Sequence, residues 1–364
     1  MNNSGSVFLL LRMIRKNGGI SPSRYGLLLL YMLKALLLFP GMCWERLFLS
    51  KKISSTPISH SPVFVIGHYR SGTTFLHKVL ASDQQWGRIT TFDFLFPFIP
   101  PLPGKWVKTT LQRIIDLFRV KHMHFNHYPI DLDDPLEEDM ITIGSLSPSS
   151  AFWGEVFPKN AREYFEEQIF FRNDAEKNHW QDSYLYFLKK LTFRNKGKRL
   201  LLKNPPNTGR VGAILELFPD ARFVYIYRNP YQVFFSTRSL WERTLEKYYT
   251  LQIITERERE EIILELYLKL MMQFEEDRSL IPEGNLVEVR YETFEANPYE
   301  EAKRIYSTLR LPGLSDAKTD ILKRLEKEKS YQKYSYVYPG ETLDRVYQHW
   351  GYFIDKWNYQ RLDQ

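Results

Sequence analysis

The stretch VFVIGHYRSGTTFLHKVL, residues 63–80, sets a short apolar strand, a glycine-bearing loop and a helix in direct succession. Gly67 and Gly72 are separated by four residues and followed by two hydroxyl residues, the outline of a phosphate loop. Glycines at these places let backbone amides turn inward. Thr73 and Thr74 then open a helix whose free N–H groups and dipole face an anion. The departures from a nucleoside-triphosphatase loop are as telling as the match. Thr73 stands where a lysine would reach the β- and γ-phosphates, and a cation sits inside the loop instead, at Arg70. The strand that would carry a magnesium-binding aspartate, FVYIY at 223–227, ends in Arg228. The loop suits a phosphate-like anion without the machinery for a metal-bound triphosphate, and no metal site is expected.

Outward from this loop, three more apolar runs read as buried parallel strands, because they lack strict polar alternation: Leu200–Leu202, Phe223–Tyr227 and Leu286–Val289. Helical patterns lie between them. The first continues from the loop over Thr74–Ala81. Gly209–Leu217 ends at the stop signal Phe218–Pro219–Asp220, and Arg257–Phe274 is long and amphipathic. The implied fold is α/β, a P-loop-type parallel β-sheet flanked by helices. Residues 91–103 (TFDFLFPFIPPLP) should be irregular. With the segment up to about 191 they are too long for a plain crossover, so residues 92–191 read as a helical insertion on the substrate side. The simplest parse is an apolar helical N-terminal extension over 1–60 and one catalytic domain over 61–364.

The bulk numbers agree with a folded chain of 364 residues, 43% hydrophobic and 26% charged. The lone cysteine, Cys43, excludes an internal disulfide and a multi-cysteine metal site, and suits the cytoplasm. A net charge of +7 favours anionic ligands or a membrane surface. The cations are spread along the chain with no dense basic arm, so nucleic acid is not expected as a partner. Residues 25–49 are strongly apolar, but Lys34 and Pro40–Gly41 interrupt them. Three readings stand: a helix that packs on the domain or makes peripheral membrane contact, a spanning helix, and an internal core helix. The first is favoured, with a protein that is cytoplasmic and membrane-associated.

A second anion site is legible in ARFVYIYRNPYQVFFSTRSLW, residues 221–241. Arg228 falls at a strand's C-terminal end, where ligands bind in open α/β sheets, and Ser236 lies two helical turns on. A guanidinium and a hydroxyl suit a second, separate phosphate.

With both anion sites in view, the chain resembles the family of sulfotransferases that use 3′-phosphoadenosine-5′-phosphosulfate, PAPS. GHYRSGTTFLHKVL is similar to the family's 5′-phosphosulfate loop, closest to the bacterial branch with GHxRSGTT loops. YRNPYQVFFSTR resembles its 3′-phosphate motif. KNPPNTGRVGAILELFPDARFVYIYRNP and VRYETFEANPYEEAKRIYSTL agree, so the resemblance covers roughly 60–360. It implies PAPS as co-substrate, bound by Arg70, Ser71, Gly72, Thr73 and Thr74 at one end and by Arg228 and Ser236 at the other. Arg70 stands where the cytosolic steroid and phenol enzymes have a lysine. The resemblance gives Arg70 and the Gly72–Thr74 amides the bridging and sulfuryl oxygens, with Lys203 as another cation nearby.

Cytosolic members place a histidine two residues beyond the lysine that Lys203 resembles, and here that position is Pro205. A carboxylate must then serve as base. The run Asp133–Asp139 (DDPLEED) resembles an acidic motif of the bacterial branch and is expected to begin a helix at Pro135. Glu137 aligns best, Glu138 second and Asp139 third. His68, His77 and His127 are rival bases, of which His68 reads as structural. Aromatic residues are abundant in the insertion, with His122, His124, His127 and Tyr128 close together. Together with the apolar N-terminal helix they favour a small-molecule alcohol acceptor, a sterol or lipid hydroxyl. A carbohydrate acceptor is the alternative. A magnesium-dependent small-molecule kinase and a non-catalytic nucleotide-binding protein are the remaining readings.

Overall fold

A computed structural model describes residues 7–98, 104–117, 130–145, 147–329 and 335–362. Its centre is a sheet of four parallel strands, β1 (Val63–Ile66), β2 (Leu201–Lys203), β3 (Arg222–Tyr227) and β4 (Leu286–Arg290), in the order β2-β1-β3-β4. The register pairs Val65 with Lys203 across β1 and β2, Ile66 with Tyr225 across β1 and β3, and Tyr227 with Arg290 across β3 and β4. All four strands therefore deliver their C-terminal ends to one edge of the sheet.

Alternation along each strand feeds two cores. Phe64, Ile66, Leu202, Phe223 and Tyr225 belong to the larger cluster, with the helices Asp174–Arg194, Pro230–Leu240, Glu256–Asp277 and Gly340–Lys356. Val63, Val65, Leu201, Val224 and Ile226 belong to the other, under the helices Thr73–Leu80, Tyr291–Ala296, Pro298–Thr308 and Leu314–Glu328. Both faces of β1, β2 and the middle of β3 are buried, which explains why those strands read as apolar runs, whereas the edge strand β4 alternates and carries Glu288. The predicted strands match to within a residue. The long helix runs Glu256–Asp277 and is held at its start by a capping box between Thr255 and Glu258.

Three expectations shift. Thr91–Leu95 is helical, because Thr90 and Asp93 form a capping box that overrides the aromatic and proline content. The acidic helix is Glu138–Gly144 and does not begin at Pro135, because Pro135 is held in a bridge to Thr90. Glu137 thus precedes the helix instead of sitting on its first turn. The stretch Pro205–Gly209 forms a tight 3₁₀ turn before the helix Val211–Leu217, so the expected start at Gly209 moves two residues on.

At the N-terminus, the helices Val7–Lys16 and Tyr25–Trp44 join the larger core through Leu9, Leu10, Met13, Tyr31 and Ala35. The helical run from Pro22 to Ser54 is 33 residues long, and by length and composition it could cross a membrane.

Candidate active site

The phosphate loop leaves β1 at Ile66 and enters the helix Thr73–Leu80, as its sequence requires. Gly67 has φ 139° and Gly72 has φ 98°, both in the region that favours glycine. A Cβ at Gly67 would lie 2.2 Å from the Ile226 carbonyl oxygen, and one at Gly72 would lie 2.3 Å from the Tyr291 ring. Between them, the Ser71 hydroxyl donates to the His68 carbonyl at 2.7 Å and the Ser71 amide donates to the same oxygen at 3.2 Å. Ser71 therefore closes the turn. The amides that open the helix have no intrahelical acceptors. The Gly67 amide donates to Thr208 Oγ1 at 2.8 Å, which ties the loop to the turn after β2.

Two groups of side chains meet at the strand ends. Arg70 has φ 67°, and its Nε donates to Ser236 Oγ at 2.9 Å. The Tyr336 hydroxyl lies 3.4 Å from the same oxygen. Arg228 donates from Nη1 to the Arg70 carbonyl at 3.4 Å and from Nε to Gln232 at 3.0 Å, and its guanidinium lies 4.3 Å over the Tyr291 ring. The loop and the expected second anion site are thus one connected patch, and Arg70 joins them. Its side chain turns toward Ser236.

The second group surrounds Lys203, at the end of β2. Lys203 Nζ forms an ion pair with Glu137 at 2.5 Å and lies 3.4 Å from Thr74 Oγ1. Lys203 is almost wholly buried, whereas Glu137 is partly exposed. Of the three candidate carboxylates, Glu137 faces the loop and the other two turn inward. Glu138 accepts from Asn207 at 2.9 Å and bonds with Tyr184, and burial pushes its pKa up to about 7. Asp139 accepts from Asn204 at 3.1 Å, and burial raises its pKa as well. Glu155 completes this inner cluster. Burial first and Asp139 second push its pKa up to about 8. Arg210 is the cation nearby, with Nη1 donating to Asn207 at 3.1 Å.

His68 and His77 are buried, and burial lowers the pKa of each, that of His68 to about 4. His68 donates from Nδ1 to the Tyr69 carbonyl and packs edge-on against Tyr267, as a structural residue would. His122, His124, His127 and Tyr128 lie outside the described residues. Sequence reasoning missed Thr208, Asn204 and Asn207, although all three stand in the quoted motif KNPPNTG. It also missed Glu155, whose one signal is a lone acid within the apolar run AFWGEVF. Among the described residues, no group of three or more His, Cys, Asp or Glu is placed to hold a metal ion.

The ends of the parallel sheet thus carry a glycine turn of phosphate-loop form, the Lys203–Glu137 ion pair and the Arg70–Ser236 contact. The chain belongs to the sulfotransferase family, whose model matches residues 62–316. It is a sulfotransferase. Among curated relatives it is 27% identical over 353 residues to the omega-hydroxy-beta-dihydromenaquinone-9 sulfotransferases Stf3 of Mycobacterium bovis and Mycobacterium tuberculosis, covering 96% of this chain and 88% of theirs. Its fold is similar to that of the sulfotransferase STF9 from Mycobacterium avium, with TM-score 0.70, 17% identity and 100% of both chains covered. The sulfotransferase STF1 from Mycobacterium tuberculosis H37Rv aligns with TM-score 0.68 and 19% identity, covering 94% of this chain and 89% of that one.

Proposed function

We propose that the chain transfers the sulfuryl group of PAPS to the hydroxyl of a lipid alcohol, with Glu137 as the base. The observation that carries this reading is the Lys203–Glu137 pair at the mouth of the Gly67–Thr74 loop, with the Arg70–Ser236 contact leading to Arg228. A donor with two separated anionic ends fits this layout, since Lys203 stands beside the loop and Arg70 and Arg228 stand at the far end. When bound, PAPS supplies an activated sulfuryl group.

The chain's own residues divide the remaining work. The amides of Gly72–Thr74 and the Lys203 ammonium offer fixed positive charge where negative charge grows on the departing oxygen. Preorganised donors of this kind supply several kcal/mol of transition-state stabilisation. Arg70 belongs to the loop by its main chain and to the 3′-phosphate end by its guanidinium, so it holds the two ends in register. Arg228, stacked on Tyr291, and Ser236 bind the distant phosphate. Glu137 takes the proton of the acceptor hydroxyl, and Lys203 fixes the orientation of its carboxylate. Glu138 and Asp139 support that arrangement from beneath through Asn207 and Asn204.

The lipid acceptor is supported by the relatives, which are named for a hydroxylated menaquinone, and by the apolar helices beside the insertion. A hydroxyl at the end of a long apolar lipid fits that comparison better than a sterol. The test is transfer of labelled sulfate from PAPS to a panel of prenol, quinol, sterol and sugar alcohols without added metal. Product from a lipid alcohol supports the reading. Product from sugars alone, or turnover only with magnesium and ATP, contradicts it.

A further inference from the structure

The helical run Pro22–Ser54 has two faces, and both are apolar. On the inner face Tyr31 and Ala35 are buried in the main core, and the Tyr31 hydroxyl donates to the Tyr249 carbonyl at 3.2 Å. Lys34 lies 4.9 Å over the Phe94 ring, and burial lowers its pKa to about 8. Glu45 is buried in an ion pair with Lys190 at 2.7 Å, and Ile53 is buried further on. Lys189 then donates to the Ser54 carbonyl at 3.0 Å. The protein therefore grips this helix from Tyr31 to Ser54, roughly 35 Å at 1.5 Å per residue.

On the outer face, Leu29, Leu33, Leu36, Leu37, Leu47 and Phe48 are exposed, Leu37 to 72% and Leu47 to 75%. No described residue covers them. A helix held to the protein at Tyr31, Lys34, Ala35, Glu45, Ile53 and Ser54 cannot also be wrapped by lipid on all sides, because Lys34, Glu45 and Lys190 would be stripped of their partners. The charge pattern identifies what the outer face meets. The first 60 residues hold the cations Arg12, Arg15, Lys16, Arg24, Lys34, Arg46, Lys51 and Lys52 against one acid, Glu45, which Lys190 neutralises. Arg12, Arg15, Arg46, Lys51 and Lys52 are exposed. An apolar stripe with cations at both ends matches an anionic lipid surface.

We infer that Pro22–Ser54 lies flat on an anionic bilayer leaflet, with its outer face among the lipids and its inner face on the enzyme, and does not cross the membrane. This deepens the lipid-acceptor reading and rests on it for its purpose. The route from surface to base is short in elements: the helix touches Phe94 on Thr91–Leu95, and Thr91–Leu95 packs on Glu138–Gly144, which Glu137 precedes.

The experiment uses the full chain and vesicles of phosphatidylcholine with or without phosphatidylglycerol. Wild-type protein should sediment with the phosphatidylglycerol vesicles, and the triple variant Leu33→Gln/Leu37→Gln/Leu47→Gln should bind at least tenfold less. The variant should keep its thermal midpoint and its affinity for adenosine 3′,5′-bisphosphate. Its transfer to a lipid alcohol dispersed in detergent should be unchanged, while transfer to the same alcohol in vesicles falls at least tenfold. In a Cys43→Ala background, a fluorophore placed in turn at Leu29, Leu37 and Leu47 should be quenched equally by lipids with a shallow quencher. Deep burial of the middle probe alone would mean a spanning helix and overturn the inference. So would equal vesicle binding by the variant, or a wild-type dimer that the variant dissolves while neither form binds vesicles. If vesicles bind but no lipid alcohol is sulfated, the acceptor reading fails and the docking surface stands.

Discussion

The donor side and the acceptor side of this site are built by different means. The proposed donor side rests on strand ends and the turns that directly follow them: Gly67–Thr74 after β1, Lys203 at the end of β2 and Arg228 after β3. Its positions are set by backbone conformation and sheet register, which tolerate little change. The proposed acceptor side rests on an insertion in which three consecutive acids divide: Glu137 pairs with Lys203, and its neighbours Glu138 and Asp139 are buried with Asn207 and Asn204. A one-residue step in sequence there separates the proposed base from a buried neighbour.

If that division is right, substitutions on the two sides should damage different kinetic constants. The largest effect belongs to Glu137→Gln. It should lower kcat by about 10²–10⁴ while leaving adenosine 3′,5′-bisphosphate affinity within a few-fold, as read by steady-state rates and calorimetry. Retention of full turnover would remove Glu137 from the chemistry. Next, Arg228→Ala should weaken donor binding by about 10–100-fold with a smaller change in kcat. A hydrogen bond to a charged group contributes about 1.5–3 kcal/mol. An equal fall in kcat at saturating donor would erase the distinction between the sides.

Gly72→Ala probes the backbone origin of the donor side. Its φ of 98° and the contact with Tyr291 should cost about 1–3 kcal/mol of stability or donor affinity. Thermal unfolding with and without bisphosphate would measure it, and an unchanged midpoint and affinity would show that the loop relaxes.

The smallest effect sharpens the acceptor side. The folded pKa of Glu155 is raised from 4.5 to about 8, so the native state holds a proton that the unfolded chain releases at lower pH. The stability this confers is complete below about 4.5 and is lost as pH rises through about 8. Glu155→Gln should flatten the decline of the unfolding midpoint between pH 6 and 8.5. A decline as steep as in the wild type would place the titration elsewhere.

The same contrast explains what could be read without a structure. β1, the glycine loop and the place of Arg228 at the end of β3 are legible because local rules fix them: a buried strand, glycines at positive φ, and a residue that directly follows an apolar run, whereas Ser236 bonds to Arg70 and not to Arg228. The helix start at Pro135 was misread because its bridge to Thr90 comes from more than forty residues away. The turn of Arg70 toward Ser236 is equally non-local, spanning 166 residues of sequence. The sequence ranks Glu138 just behind Glu137 as a base, and only tertiary packing buries the one fully and leaves the other partly exposed. Glu155 gave no signal beyond an acid among aromatics, since the partners that make it matter arrive through the fold. The extension at 25–49 hid its two faces because protein on one side and an uncovered surface on the other both select leucine.

The central claim is that one donor is held at both ends. Calorimetry without metal, comparing adenosine 3′,5′-bisphosphate with adenosine 5′-phosphate on wild-type and Arg228→Ala protein, tests it most directly. Wild type should prefer the bisphosphate by tenfold or more, and Arg228→Ala should lose most of that preference while binding the monophosphate nearly as before. Equal affinity of the wild type for the two nucleotides, or an undiminished preference in the variant, would contradict a second anion site at Arg228.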